Sequence, residues 1–383
     1  MRNIFLTAVL SPLALMLASC SASAAGDSSA AQLETPANAS VTAAQLGTFA
    51  EPWAMAFIPG TPYALVTERK GRLKLWQDNG SARDVSGVPE VDYGGQGGLG
   101  DVVLAPDYAK SGMIYLSWVE AGAGNTRGAV IGRAKLVLDA APRLEGLQVI
   151  WTQAPKVSGR GHFSHRITFA PDGHSMFVAS GERQKFDPAQ DMAVNLGKVL
   201  HLNIDGTAAA GNPFAAQGGV TAQIWSLGHR NILGLSFDTQ GRLWVIEHGP
   251  RGGDELNLVK PGANYGWPIV SNGDHYDGGA IPRHSSRPDF AAPAISWNPV
   301  IGPGDMIFYR GDTFPQWHGQ ALIASMVYPG LVRVAIDGEA AREVERIPLS
   351  ARIREIKQRE DGSVWALTDG TSGRLLKLSP RQR

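Results

Sequence analysis

Residues 165–182 read HRITFAPDGHSMFVASGE, an apolar β-branched run, a Pro171-Asp172-Gly173 turn and a second apolar run. Glycine supplies the left-handed backbone a tight reversal needs, so this stretch predicts a β-hairpin. The same theme recurs to either side, beginning near Trp53 (WAMAFIPGTPYALVTERKGRLKLW), Leu99 (LGDVVLAPDYAKSGMIYLSW), Leu233 (LGLSFDTQGRLWVIEHG), Met306 (MIFYRGDTFPQWHGQALIAS) and Ile353 (IREIKQREDGSVWALTDGTSGRLLKLS). With His165 that makes six units, and helical periodicity is nowhere sustained. Roughly 340 mature residues shared among six leaves about 55–60 each, the size of a four-stranded propeller blade with generous loops. The expectation is an all-β, six-bladed β-propeller of four-stranded antiparallel blades over residues 42–383, with a β-sandwich or a two-domain all-β arrangement as the alternative. A propeller gathers long inserts on one face around its channel, and those after the third and fourth units hold most of the unusual chemistry.

Composition narrows the function classes. The chain has 383 residues, with 35 Lys and Arg against 35 Asp and Glu, so net charge gives no case for nucleic acid. Charged residues are 18 %, below the roughly 25 % of an average soluble domain. Gly and Pro number 46 and 24, a turn-rich total that excludes a coiled coil or helical bundle. The one cysteine, Cys20, closes an export signal: Arg2, an apolar stretch through Leu17, then Leu17-Ala18-Ser19-Cys20. This is the order of a bacterial lipoprotein signal at 1–19, with Cys20 lipidated and residues 20–41 as a flexible tether; an ordinary secretory peptide cut near Ala25 is the alternative. Ser21 resembles the outer-membrane sorting class. The expected place is therefore the periplasmic side of the envelope, held by a lipid anchor alone, as monomer or dimer.

Several constellations carry possible chemistry. Gly161-His162-Phe163-Ser164-His165-Arg166 precedes a strand, where positions three apart point to opposite faces, so the two histidines do not chelate one ion without a bulge. His162 at the strand mouth suits a general base, and Glu182, at the end of the strand that follows, suits a partner orienting its ring. A structural histidine is the plain alternative at either place. Glu247-His248-Gly249-Pro250-Arg251-Gly252-Gly253-Asp254-Glu255 lets carbonyls and carboxylates converge on a hard cation without the spacing of an EF-hand; a surface turn is the competing reading. Loop aromatics follow in Asn264-Tyr265-Gly266-Trp267-Pro268 and His275-Tyr276 and suit a flat or sugar-like ligand. Gly94-Gly95-Gln96-Gly97-Gly98-Leu99 lacks the Lys-Ser/Thr of a phosphate loop and no helix follows, so its glycines read as letting Gln96 approach a ligand. Arg352 and Arg354 alternate onto one face and, at a channel, would bind carboxylates.

In this order the pieces resemble the soluble pyrroloquinoline quinone (PQQ) dependent sugar dehydrogenases, the glucose/sorbosone or aldose sugar dehydrogenase family of six-bladed propellers. The likeness spans about Trp53 to Pro380. It rests on GGQGGL around Gln96, His162-x-x-x-Arg166, Arg230-Asn231, EHGPRGGDEL with NYGWP, and Arg352-x-Arg354.

The resemblance implies that His162 takes the hydroxyl proton from C1 of an aldose while hydride passes to the quinone, with Glu182 beside it. It places Gln96, Arg230, Asn231 and Tyr276 around PQQ, Arg352 and Arg354 on its carboxylates, and Arg230 on the carbonyl being reduced. Carbonyls of Gly249 and Pro250 match those holding an activating Ca2+, and Glu255 with the Tyr265 carbonyl match a second, structural Ca2+. The partners implied are an aldose and a respiratory acceptor, a quinone or cytochrome. Two departures stand out. His165 occupies a position where relatives carry a small residue; it is read as pointing into the blade, with bulk or a second titrating group near the mouth as the alternative. Ser325-Met326-Val327-Tyr328 lacks a pocket lysine, so cofactor contact there shifts to donors such as the Ser325 backbone. The competing functions are a non-catalytic propeller binding a glycan or protein, and a calcium-dependent lactonase. The lactonase needs an acid-rich channel centre, whereas few carboxylates are expected near the channel.

Overall fold

The computed structural model describes Met1, residues 31–33 and residues 35–381. Six antiparallel sheets follow one another along the chain. Blade 1 holds Pro52–Phe57, Tyr63–Glu68, Arg72–Gln77 and Ala82–Val85; blade 2 holds Leu99–Leu104, Met113–Ala121, Arg127–Val137 and Arg143–Thr152. Blade 3 holds Ser164–Phe169, Ser175–Ser180, Lys198–Asn203 and Ile224–Leu227; blade 4 holds Ile232–Phe237, Leu243–Glu247, Asp254–Leu258 and Ile295–Trp297. Blade 5 holds Pro303–Phe308, Ala321–Ser325, Gly330–Asp337 and Ala340–Pro348. Blade 6 is made from both ends of the chain: Ile353–Gln358, Val364–Thr368 and Gly373–Pro380 are completed by Val41–Phe49, with Val41 opposite Pro380 and Phe49 opposite Gly373. The fold is the expected six-bladed propeller, and its six units start within three residues of where the repeats begin.

Ala31–Leu33 adds a fifth strand opposite Ala43–Gln45, and Arg381 donates to Thr35 Oγ1 at 2.5 Å, so pairing begins inside the stretch read as tether. Residues 1–19 and Cys20 lie outside the described residues, Met1 apart. Among the described residues no helix is long and apolar enough to cross a membrane.

The core is divided rather than central. Apolar clusters fill each gap between neighbouring blades, as with Trp53, Leu65, Val102 and Trp118 between blades 1 and 2, and Leu322, Leu331, Ile356 and Leu376 between blades 5 and 6. A blade is therefore covered on both faces. This is why its second strand reads as a continuous apolar run, as in ALIAS (321–325) and VWALT (364–368), both buried throughout. At the expected Pro171-Asp172-Gly173 turn, Gly173 has φ 73° and Asp172 Oδ1 accepts the His174 N–H at 2.9 Å.

Every innermost strand has a β-bulge near its start, at Pro52/Met55, Leu99/Val102, Ser164/Ile167, Ile232/Gly234, Pro303/Asp305 and Ile353/Glu355. Bulges re-aim side chains, and these turn charged groups onto the propeller axis. Arg166 is the hub. It meets Glu355 at 2.6 Å, Asp101 at 3.5 Å and Asp305 at 3.9 Å, donates to the carbonyls of Leu233 (2.6 Å) and Gly304 (2.8 Å), and lies 3.9 Å from the Trp53 ring. One side chain of blade 3 thus touches all five other blades. Lys357 completes the cluster at 3.1 Å from Asp305 and 2.8 Å from Glu355. The expectation of few carboxylates at the channel is corrected: three are there, brought together by bulges that the strand pattern does not reveal.

Candidate active site

The bulged ends of the innermost strands open into a cavity of about 280 Å3, lined by Trp53, Arg69, Gln96, His165, Asn231, His248, Met326, Arg352 and Arg354, among others. It sits above the Arg166 cluster. Three of its lining residues are arginines, and the opposing wall is aromatic: Trp53 stacks on His165 with ring centres 5.0 Å apart and planes 11° from parallel. His165 Nδ1 lies 2.7 Å from Ser117 Oγ in blade 2. Burial holds the ring down to about 3, aided by the Arg166 charge, so His165 is a neutral wall and not a second titrating base. Its ring is buried against Trp53 of blade 1 and Ser117 of blade 2 and forms part of the cavity lining.

Behind Gln96 and Phe163 of the lining, Glu182 Oε1 hydrogen-bonds His162 Nδ1. Its other oxygen accepts the N–H groups of Lys185 at 2.6 Å and Phe186 at 2.7 Å, while Gln96 Oε1 accepts the His162 N–H at 2.6 Å. Burial lowers the His162 pKa against the pull of Glu182, and the charges of Arg230 and Arg183 lower it further. Burial works to raise Glu182, but the hydrogen bonds from His162 and Phe186 prevail and hold it below the ordinary carboxylate value. The pair is therefore a carboxylate accepting Nδ1–H from a neutral imidazole, which leaves Nε2 as the free base. His162 and His165 make separate contacts, and among the described residues no three His, Cys, Asp or Glu are arranged to hold a metal.

The arginines are positioned by anions and carbonyls. Asp369 holds Arg352 at 3.0 Å and Arg354 at 2.7 Å, and Arg352 also donates to the Met326 carbonyl at 3.0 Å. Arg69 donates to the carbonyls of Gly95 and Gly97. It can do so because a Cβ on Gly98 would stand 2.1 Å from the Arg69 carbonyl, a separation only glycine permits. Arg230 is anchored by its N–H to Glu247 at 2.7 Å and lies 5.1 Å over the Trp267 ring; its Nε is buried without a partner among the described residues. An unpaired buried donor is costly and marks a place where an acceptor fits.

Gly249, Pro250, Glu255 and Tyr265 border one small void of about 10 Å3, close to the room one water-sized occupant needs. Burial, reinforced by Glu247, pushes the Glu255 carboxyl well up against hydrogen bonds from the Asn257 side chain at 3.5 Å and the Asn272 backbone, and His284 stands 3.7 Å away. Asp254 is spent otherwise, accepting the N–H groups of Gly249, Ile301 and Gly302 at 2.9, 2.9 and 2.7 Å.

The profile of the Glucose / Sorbosone dehydrogenase family matches residues 49–377. The chain belongs to that family. It is 38 % identical to the aldose sugar dehydrogenase YliI of Escherichia coli over 338 residues, 86 % of this chain and 90 % of that one. The crystal structure of the soluble E. coli aldose sugar dehydrogenase in its apo form superposes with a TM-score of 0.84 at 37 % identity, over 89 % of this chain and 100 % of that one. The PQQ-bound aldose sugar dehydrogenase of Streptomyces coelicolor gives 0.74 at 27 % identity, over 90 % and 99 %.

For this family member, the structure gathers Gln96, Asn231, Arg352 and Arg354 at the cavity; His162 and Glu182 stand outside its lining, joined to it through Gln96 and Phe163, and Arg230 borders the neighbouring small void. Tyr276 stands outside the lining, exposed, with its hydroxyl 3.4 Å from Arg230. Ser325 is not in the cavity. Its backbone is paired with Pro303 and Gly330 and its hydroxyl donates to the Ile301 carbonyl at 2.5 Å, so the next residue, Met326, forms the wall. Tyr265 and Trp267 are buried supports rather than open platforms. Sequence reasoning missed Trp53, Arg69, His248 and Asp369. A cue existed for Asp369, which directly follows its strand and lies opposite Arg352, whose carbonyl accepts its N–H at 2.8 Å.

Proposed function

We propose that the protein oxidises aldose sugars at C1 to lactones with PQQ and Ca2+ as its bound cofactors. The observation that carries this reading is the neutral His162, held by Glu182 and joined through Gln96 to a cavity lined by three arginines and the stacked rings of Trp53 and His165. A planar polycarboxylate quinone fits that donor set. Arg69, Arg352 and Arg354 match its charge, Trp53 and His165 match its flatness, and the unpartnered Arg230 Nε matches a carbonyl acceptor. PQQ would supply the two-electron acceptor, and Ca2+ the Lewis acid that polarises it.

The protein's own residues would bind, orient and move a proton. His162 Nε2 takes the proton of the C1 hydroxyl, Glu182 fixes the ring and steadies the imidazolium that forms, and Gln96 holds the main chain at His162. Arg230 faces the negative charge that develops during transfer. Gly249 and Pro250 would offer carbonyls to the activating Ca2+, and Glu255 with the Tyr265 carbonyl would hold the structural one. Oxygen-only donors suit this hard cation.

Residues 1–19 and Cys20 support a lipid-anchored enzyme on the periplasmic side of the outer membrane that hands electrons to a respiratory quinone or cytochrome. The lactonase reading is disfavoured because Arg166 and Lys357 already neutralise the channel carboxylates. Dye-linked oxidation of glucose and other aldoses, with and without added PQQ and Ca2+, tests the proposal. Activity requiring both is expected; a protein that binds PQQ but oxidises no aldose, or one that binds no PQQ, overturns it.

A further inference from the structure

We propose that Arg183 is a positioning residue for the His162 base, its guanidinium clamping the main chain that carries His162. The inference rests on His162 being the base. Arg183 directly follows Glu182, so two consecutive residues hold the base in different ways, the carboxylate by its imidazole ring and the arginine by its backbone.

Arg183 is fully buried. Its Nε donates to the Gly161 carbonyl at 2.9 Å, Nη2 to Gly159 at 2.7 Å and Nη1 to Arg127 at 2.6 Å, while its own N–H donates to the His162 carbonyl at 3.2 Å. The guanidinium lies 3.7 Å over the ring of Phe163. Residues 159, 161, 162 and 163 are thus all held by this one residue. No carboxylate lies within ion-pair distance of it among the described residues: Glu182 is spent on His162 and two amides, and Arg127 is paired with Asp92 at 2.7 Å. A buried cation without a counter-charge is expensive, and an apolar side chain would fill the same space. What an apolar side chain could not do is satisfy the inward-facing carbonyls of Gly159 and Gly161.

The backbone explains why a clamp is needed. Among the described residues eight non-glycine residues have positive φ, and six of them are His162 itself and residues near the His162–Glu182 pair: His162, Ser164, His165, Arg183, Gln184 and Phe186. Such conformations persist only where the surroundings over-determine them. The packing is close enough that a Cβ on Gly181 would stand 2.1 Å from the His162 carbonyl. The charged groups facing the imidazole are Glu182 and Arg183 in blade 3, and Arg230 in the blade 3–4 connection; His248 after the second strand of blade 4 is neutral, burial holding it down to about 3. Arg183 acts on the ring in the same direction as Arg230, towards the neutral form that a base requires.

The test compares Arg183→Met and Arg183→Lys with the parent protein by two readouts. The first is the His162 titration followed by NMR without cofactor, which does not depend on sugar oxidation. The second is kcat, KM and the pH profile for glucose with PQQ and Ca2+. In R183M the His162 pKa should rise, the acid limb should move up with it, and kcat should fall by about 10²-fold at little changed KM, the effect of a slightly misplaced base. R183K keeps the charge but loses the fork, so the titration should stay near the parent's while kcat still falls. A folded R183M with parental titration and parental kcat overturns the proposal. Should R183M not fold, R183K decides: parental kcat there overturns it. A parent protein that oxidises no sugar sinks the dehydrogenase reading instead, and the NMR titration still shows whether Arg183 governs that ring.

Discussion

A Cβ on Gly100 would lie 1.9 Å from Cε1 of His165, so the blade 2 glycine is the space that the blade 3 imidazole occupies. The bulk of the His165 ring is accommodated by this partner. Gly100→Ala forces the ring off Trp53 and Ser117 and should destabilise the protein by about 1–3 kcal/mol, the usual cost of overpacking. The double variant Gly100→Ala/His165→Gly removes the clash, and glycine accepts the φ of 58° at position 165. Thermal melts should show the double variant more stable than Gly100→Ala alone; equal or lower stability would show the two sites to be uncoupled.

His162 must be neutral to accept a proton, and its pKa is lowered from the ordinary 6.5. Activity should therefore rise as pH climbs through that lowered value and persist below pH 6.5, where an unperturbed imidazole would already be protonated. A kcat/KM profile whose acid limb lies above 6.5 contradicts the assignment. His162→Ala should cost roughly 10²–10⁴-fold in kcat, the range for a positioned base.

Arg69 brings a third guanidinium to the cavity beside Arg352 and Arg354. Arg69→Met should weaken PQQ binding by about 10- to 100-fold, as expected for a charged hydrogen bond of roughly 1.5–3 kcal/mol. At saturating PQQ its kcat should stay close to the parent's. Fluorescence titration with PQQ separates the two effects, and unchanged affinity would remove Arg69 from the cofactor's surroundings.

Arg166 holds three buried carboxylates. Arg166→Met leaves Asp101, Asp305 and Glu355 with Lys357 alone and should cost about 3–5 kcal/mol in denaturant unfolding. Glu355, which burial pushes up to about 8 against the opposing Arg166 charge, should then keep its proton to still higher pH. Little change in stability would show that the cluster does not brace the ring.

A calcium ion held by Glu255 and Tyr265 would stabilise only the folded state, so on the proposed reading chelation should lower the melting temperature. At a free ion level 100-fold above Kd the loss is about 2.7 kcal/mol. Glu255→Gln should abolish the response to chelator. A parent protein whose melting is indifferent to both chelator and Ca2+ refutes the structural site.

The strands were legible because hairpin turns and apolar runs are local. Pro171-Asp172-Gly173 and its five counterparts located every innermost strand, and motif order located His162, Glu182, Gln96 and the Arg352-Arg354 pair. Local pattern failed at Ser325, where a strand end turns its backbone into pairing and hands the wall to Met326. It also failed for Arg69, which depends on the missing Cβ of Gly98, 29 residues later by number and adjacent in space.

By itself, then, the sequence determined the blade count, the strand positions and the candidates for the reacting residues, since each is written in neighbours along the chain. Tertiary structure alone decided what meets at the axis. Six bulges turn Asp101, Arg166, Asp305 and Glu355 inward from four blades, ring closure joins Val41–Phe49 to Gly373–Pro380, and Arg183 reaches back across the hairpin to the backbone at His162. These contacts join residues far apart in sequence, and their geometry exists only once the ring has closed.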